Sequence, residues 1–70
     1  MSDMRETLRQ HRVAAGMTQA QLAARLGITQ QTLSKHETGI RSPAHFKIIR
    51  GYERELGQPA RALFPDIFID

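Results

Sequence analysis

Residues 17–39 read Met-Thr-Gln-Ala-Gln-Leu-Ala-Ala-Arg-Leu-Gly-Ile-Thr-Gln-Gln-Thr-Leu-Ser-Lys-His-Glu-Thr-Gly, and one short grammar occurs in them twice. Thr18 is placed to cap a helix, its hydroxyl accepting from the N–H of Gln21 while the Gln21 side chain reaches back to the N–H of Thr18. Met17, just before the cap, and Leu22, at the fourth helical position, form a hydrophobic staple. Gly27 supplies the left-handed residue that ends this helix. Ile28, Thr29 and Leu33 then repeat the staple, the cap and the staple partner for a second helix over Thr29 to Thr38, which Gly39 terminates. Gly27 to Thr29 alone separate the two helices, and a turn that short forces a steep crossing.

This is a helix-turn-helix motif, and its inner face dictates residue size. Ala23 is small where two backbones approach, and Leu22, Leu26, Ile28 and Leu33 form the shared apolar seam. Subtracting these leaves Gln30, Gln31, Ser34, Lys35 and Thr38 facing out from the second helix. A polar helix face is ordinarily no more than a solvated surface. Two adjacent glutamines at a helix N-terminus nevertheless suit adenine edges in the major groove, because each amide offers one donor and one acceptor in the geometry of N6 and N7. Inside a helix-turn-helix that reading is the better one.

Outward from the motif, a helix is predicted from about Asp3 to Ala15, capped by Ser2 or Asp3 and stopped by Gly16. Its inward face would be Met4, Leu8, His11 or Arg12, and Ala15. On the other side, Ser42-Pro43 reads as cap and first position of a helix reaching Leu56, with Phe46, Ile49, Tyr52 or Glu53, and Leu56 inward. Gly51 inside it costs about 1 kcal/mol relative to alanine, and marks either close packing or a kink. Gly57 ends that helix, and a short one from Gln58-Pro59 to Leu63 or Phe64 stops at Pro65. The pattern predicts an all-α fold of five short helices in an orthogonal bundle, a single domain over 1–70 with its core at about 4–64 and an apolar tail at 65–70.

Composition narrows the function. There is no cysteine, so neither disulfides nor thiolate metal sites are available, which is compatible with a reducing cytoplasm. No stretch approaches the ~18 apolar residues of a membrane span, and the acidic, polar N-terminus does not resemble a signal peptide. The formal charge of +3 is unevenly spread. Residues 7–50 hold seven basic groups (Arg9, Arg12, Arg25, Lys35, Arg41, Lys47, Arg50) against Glu37, a local net of +6, whereas residues 51–70 carry −2. A charge run is usually a soluble face, but this one coincides with the motif and its flanks, as a surface meeting phosphates requires. His11, His36 and His45 have no metal-ligand spacing, and no nucleophile elbow, phosphate loop or carboxylate pair is present. No metal, no cofactor and no enzymatic activity are expected.

Gly16-Met17-Thr18-Gln19 with Leu22-Ala23, then Gly27-Ile28-Thr29-Gln30-Gln31-Thr32-Leu33-Ser34-Lys35, then Glu37-Thr38-Gly39 resemble the lambda-repressor-like family, also called the Cro/C1 or XRE type. The resemblance runs from about Leu8 to Phe64 and includes Leu56-Gly57 and Leu63-Phe64. It implies that Gln19 grips a phosphate and braces the recognition helix, and that Gln30, Gln31, Ser34 and Lys35 reach base edges or neighbouring phosphates. It also implies a largely buried ion pair between Arg12 and Glu37; the alternative is an unpaired surface glutamate. His36 stands where the family usually has an aliphatic or aromatic residue and His11 where leucine is common, so each is expected as a neutral histidine at the core edge. The Pro43 to Leu56 stretch is about one residue longer than the usual pattern.

These readings converge on a sequence-specific double-stranded DNA-binding regulator, expected as a repressor in the cytoplasm of a bacterial or phage-infected cell. Gln30, Gln31, Ser34 and Lys35 would read bases, and Gln19, Thr29, Arg41, Arg9, Lys47 and Arg50 would hold phosphates. One module contacts few bases, so a homodimer on two half-sites is expected. Its candidate interface is Leu63, Phe64, Ile67, Phe68 and Ile69, unless that tail folds back onto its own core. Seventy residues leave no room for a ligand-sensing domain, so no small-molecule effector is expected. A phage repressor, a restriction-modification controller and an antitoxin remain alternatives within this reading. Outside it stands a protein-binding module, an antirepressor or adaptor, on the same fold.

Overall fold

The computed structural model describes residues 5–68. Five helices follow one another: α1 (Glu6–Ala14), α2 (Gln19–Leu26), α3 (Gln30–Thr38), α4 (Phe46–Leu56) and α5 (Ala60–Leu63). No strand occurs among the described residues. The fold is all-α; the candidate helix start at Ser2 or Asp3 and the inward Met4 lie outside the described residues.

Local chemistry builds α2 and α3. Thr18 Oγ accepts from the Gln21 N–H at 3.1 Å, and Gln21 Oε1 accepts from the Thr18 N–H at 2.9 Å, closing a capping box. Gly27, at φ 72°, ends α2 while the Ile28 N–H returns to the Ala23 carbonyl at 3.0 Å and that of Gly27 to Ala24 at 3.3 Å. That pair of bonds satisfies carbonyls that the last helical turn leaves open. Thr29 caps α3 by accepting from the Thr32 N–H at 3.1 Å.

Helix α2 packs on α3 and α4, while α5 lies against α1 and α4, and α1 also touches α3. The core between them is Leu8, Leu22, Ala23, Leu33, Tyr52, Leu56, Leu63 and Phe64, with Met17, Leu26, Ile28 and Ile48 packed around it. Burying this set is the main favourable term available to so small a chain. The Tyr52 ring meets Phe64 edge-on at 5.2 Å between centroids.

Four sequence expectations are corrected here. Helix α4 begins at Phe46, after a loop, and not at Pro43, because the Ser42 hydroxyl that would cap it accepts instead from Arg5 Nη2 at 3.2 Å. The inward row of α4 is therefore Ile48, Gly51 with Tyr52, and Leu56. Phe46 is left 70% exposed, its ring covered by the Arg50 guanidinium at 5.0 Å. Ala15 is exposed at the end of α1, and the buried face of that helix is Arg5, Leu8 and Arg12. Leu63 and Phe64, expected among the dimer contacts, are fully buried in the chain's own core, because the turn after α5 folds back over α1. Of the two readings of Gly51, close packing holds. Helix α4 runs unbroken through it, and a Cβ there would come 2.7 Å from Leu26 Cδ2 of α2.

Candidate nucleic-acid interface

Helix α3 has two chemically opposite faces. Leu33, His36 and Glu37 are buried, while Gln30, Gln31, Lys35 and Thr38 are exposed and Ser34 is half-buried. The exposed row matches the polar residues that packing left over, and the buried row anchors it.

The anchor is a chain of hydrogen bonds, charge-assisted as far as Gln19, running from α1 to the first residue of α3. Arg12 Nε donates to Glu37 Oε2 at 2.5 Å and Arg12 Nη2 to Glu37 Oε1 at 3.3 Å, with the two side chains only 10% and 3% exposed. Arg12 Nη1 also donates to the Met17 carbonyl at 2.8 Å, so the guanidinium pins the α1–α2 turn as well. Glu37 Oε1 accepts from Gln19 Nε2 at 3.0 Å, and Gln19 Oε1 accepts from Gln30 Nε2 at 3.4 Å. A carboxylate so enclosed is tolerable because both of its oxygens are hydrogen-bonded and its charge is paired with a guanidinium. The result reaches the surface: Gln30 is oriented through Gln19 by a buried ion pair.

A second buried guanidinium holds the last turn of α3 beside Glu37. Arg5, 3% exposed, donates through Nη1 to the carbonyls of His36 at 2.8 Å and Arg41 at 3.1 Å. Its other edge grips Asp66, Nη2 to Oδ2 at 2.5 Å and Nε to Oδ1 at 3.2 Å. The same group lies 5.4 Å from the centre of the Phe64 ring. Arg5 thus ties the start of α1, the end of α3, the following loop and the C-terminal turn together, and its hydrogen bond keeps the Asp66 carboxyl below its usual range. Sequence reasoning passed over Arg5. The signal was its spacing, three residues before Leu8 and seven before Arg12, which puts it on the inward face of a helix.

Beneath α3, His36 Nδ1 and the Tyr52 hydroxyl share a 2.8 Å hydrogen bond. Burial, with Arg5 and Arg41 adding to it, lowers the His36 pKa to about 4, so this ring is neutral at neutral pH. Burial, reinforced by the negative charge of Glu37, raises that of Tyr52. His11 is half-buried on α1.

The candidate phosphate ligands divide by what they already touch. Arg9 bridges Glu6, and Arg50 bridges Glu53 at 3.3 Å while stacking on Phe46. Arg25 and Arg54 both hold Glu55, whose carboxyl is lowered chiefly by the Arg25 hydrogen bond. Lys35, Arg41 and Lys47 are exposed and have no acidic partner among the described residues. Arg41 lines the same groove as Thr32 and His36, so it stands beside the recognition helix. Thr29 is exposed at the cap of α3. Ile67 and Phe68, the described apolar residues left from the dimer candidates, are 38% and 37% exposed, and Ile69 lies outside the described residues. No group of His, Asp and Glu arranged to hold a metal occurs among the described residues.

The profile of a helix-turn-helix family matches residues 8–57, which contain α2, α3 and the buried Arg12–Glu37 pair. An uncharacterised HTH-type transcriptional regulator of Methanothermobacter thermautotrophicus is 42% identical over 66 residues, covering 94% of this chain and 90% of that protein. No solved structure matches the chain.

Proposed function

The chain belongs to the helix-turn-helix family of the XRE/Cro-C1 type, and we propose that within it this DNA-binding regulator is a sequence-specific repressor acting as a dimer on two half-sites. The observation that carries this reading is the outward row of α3, Gln30, Gln31 and Lys35, set on a helix whose opposite face is locked by the Arg12–Glu37–Gln19–Gln30 chain. A side chain that must read a base edge has to be held before it meets DNA. In this reading α3 enters the major groove with Gln30, Gln31, Ser34 and Lys35 toward the bases. Gln19, Thr29, Arg41 and Lys47 then set register on phosphates, with Arg9 and Arg50 as outer contacts that must first leave their acidic partners. The second copy docks on Ile67 and Phe68, which stay exposed beside the buried Leu63 and Phe64. Repression follows from occupancy, since a dimer over a promoter excludes polymerase.

The test is fluorescence anisotropy on labelled duplex from upstream of the protein's own gene, beside a scrambled duplex, for the parent and for Gln30→Ala with Gln31→Ala. Tight binding to the upstream duplex alone, lost to the scrambled level in the double variant while circular dichroism is unchanged, supports the reading. Equal affinity of parent and variant for every duplex rejects it.

A further inference from the structure

Between α3 and the segment that follows it lies a half-open groove of about 400 Å³, lined among others by Ile28, His36, Arg41, Pro43, Ala44 and Ile48. That size and a mostly apolar wall with few polar groups are those of a small-molecule site. Ile28, Pro43, Ala44 and Ile48 supply the apolar wall, and of its four polar residues, Thr32, His36, Arg41 and His45, two bear on the choice of ligand. Arg41 is exposed and has no carboxylate among the described residues. His36 is 3% exposed, yet only its Nδ1 is engaged, by Tyr52.

The other ring nitrogen points to the ligand. No described group bonds His36 Nε2, and no fully buried side-chain nitrogen or oxygen among the described residues lacks a partner. Nε2 therefore keeps some access to solvent, and His36 is part of the lining of this groove. The phenol is a stronger acid than a neutral imidazole N–H, so Tyr52 donates to Nδ1 and the ring proton resides on Nε2. The groove thus offers an N–H donor and a guanidinium at the edge of an apolar cleft.

We infer that this groove binds a small apolar carboxylate, its hydrocarbon body against Ile28, Pro43, Ala44 and Ile48 and its carboxylate held by Arg41 and by Nε2–H of His36. This site lies within the helix-turn-helix itself and departs from the expectation of no small-molecule effector. Its consequence rests on the proposed DNA reading: Arg41 is also a phosphate ligand there, so an occupied groove withdraws a DNA contact and weakens DNA binding.

Octanoate is the probe, titrated into ¹⁵N-labelled protein and followed at the His36 ring nitrogens and the amides of residues 41–48. Acetate supplies the charge without the body, and octan-1-ol the body without the charge. Saturable shifts confined to the groove are expected with octanoate, with acetate and octanol each roughly tenfold weaker or more. Arg41→Gln, at an exposed position, weakens octanoate about tenfold, and Ala44→Phe, which fills the cleft, removes the shifts while both variants keep the parent's circular dichroism. Absence of saturation below the micellar range, or shifts that persist unchanged in both variants, overturns the site. A groove that fills with octanoate while DNA affinity stays constant overturns the phosphate role of Arg41 and leaves the carboxylate site standing.

Discussion

Arg5 donates to the backbone carbonyl of His36 at 2.8 Å across 31 residues of sequence, so the first described residue of the chain holds the last turn of the recognition helix. That carbonyl belongs to the group at a helix end that has no partner within the helix. Arg5 answers it from outside, and the same guanidinium continues to Arg41, Ser42 and Asp66. Two buried guanidiniums therefore fix the last turn of the recognition helix, Arg12 through the Glu37 carboxylate and Arg5 through the neighbouring His36 carbonyl, while Gln19 alone carries the link on to Gln30 at the first turn.

Arg5→Ala removes the donor to His36, Arg41 and Ser42 at once and leaves the Asp66 carboxylate without its partner. A loss of roughly 2–4 kcal/mol is expected in urea denaturation. Arg5→Lys recovers little of it, because an ammonium cannot present two edges to four acceptors. Asp66→Asn costs less than Arg5→Ala, since the Asp66 side chain is 34% exposed and water replaces part of the bond. Near-parent stability of Arg5→Ala would show that the hub carries no net energy.

Arg12→Ala strands Glu37, whose side chain is 3% exposed. The expected loss is roughly 3–5 kcal/mol, and below about 1 kcal/mol the pair would have to be treated as an exposed one. Glu37→Gln keeps an acceptor for Arg12 and for Gln19 and is milder. Because Gln19 depends on Glu37 and Gln30 on Gln19, a folded Glu37→Gln protein loses discrimination between duplexes before it loses total DNA affinity.

How much of this was legible depended on whether the deciding contact was local. Caps, staples and left-handed glycines act within four or five residues, so the borders of α2 and α3 could be read from Thr18, Gln21, Gly27, Thr29 and Gly39 alone. Ser42-Pro43 carried an equally good local signal and was misleading, because the Ser42 hydroxyl is taken by Arg5 from 37 residues away. The side on which Leu63 and Phe64 would be buried was likewise undetermined by their apolarity, which suits a core and an interface alike. The Arg12–Glu37 pair came from family resemblance; the His36–Tyr52 bond and the groove beside it had no signal in residue order, since three separate segments meet there.

Stability falls as acid reaches the histidine range, and His36 is the cause. Its folded pKa of about 4 lies below the ordinary 6.5, so between those values the unfolded chain binds a proton that the folded chain does not. Well above pH 6.5 both states are neutral and the group contributes no slope. From pH 7.5 to 5 unfolding free energy should drop by roughly 2 kcal/mol, with the slope approaching about 1.4 kcal/mol per pH unit below pH 6. Urea midpoints at pH 7.5, 6.5 and 5 measure it, and His36→Phe should flatten that interval despite losing the Tyr52 bond. A parent curve flat from 7.5 to 5 would contradict a neutral buried imidazole. Carboxylates such as Asp66, held low by Arg5, lose their contribution only at more acid pH and do not confuse this window.

Salt dependence separates the cations that meet DNA from those that merely decorate the surface. Each phosphate neutralised releases counterions and contributes about 0.9 to the slope of log affinity against log salt. Arg41 and Lys47 have no described acid to give up, so Arg41→Ala and Lys47→Ala should each flatten the slope by close to that amount and weaken every duplex alike. Arg50 must first leave Glu53 and the face of Phe46, and Arg9 must leave Glu6, so their alanine variants should change the slope by about half as much or less. Lys35 differs again. Standing on α3 itself, it should alter discrimination between duplexes as well as slope if it reaches a base, and slope alone if it reaches a phosphate. Equal slopes for Arg41→Ala and the parent would remove Arg41 and the α3–α4 loop from the interface and leave the phosphates to Gln19, Thr29, Lys47 and the outer arginines.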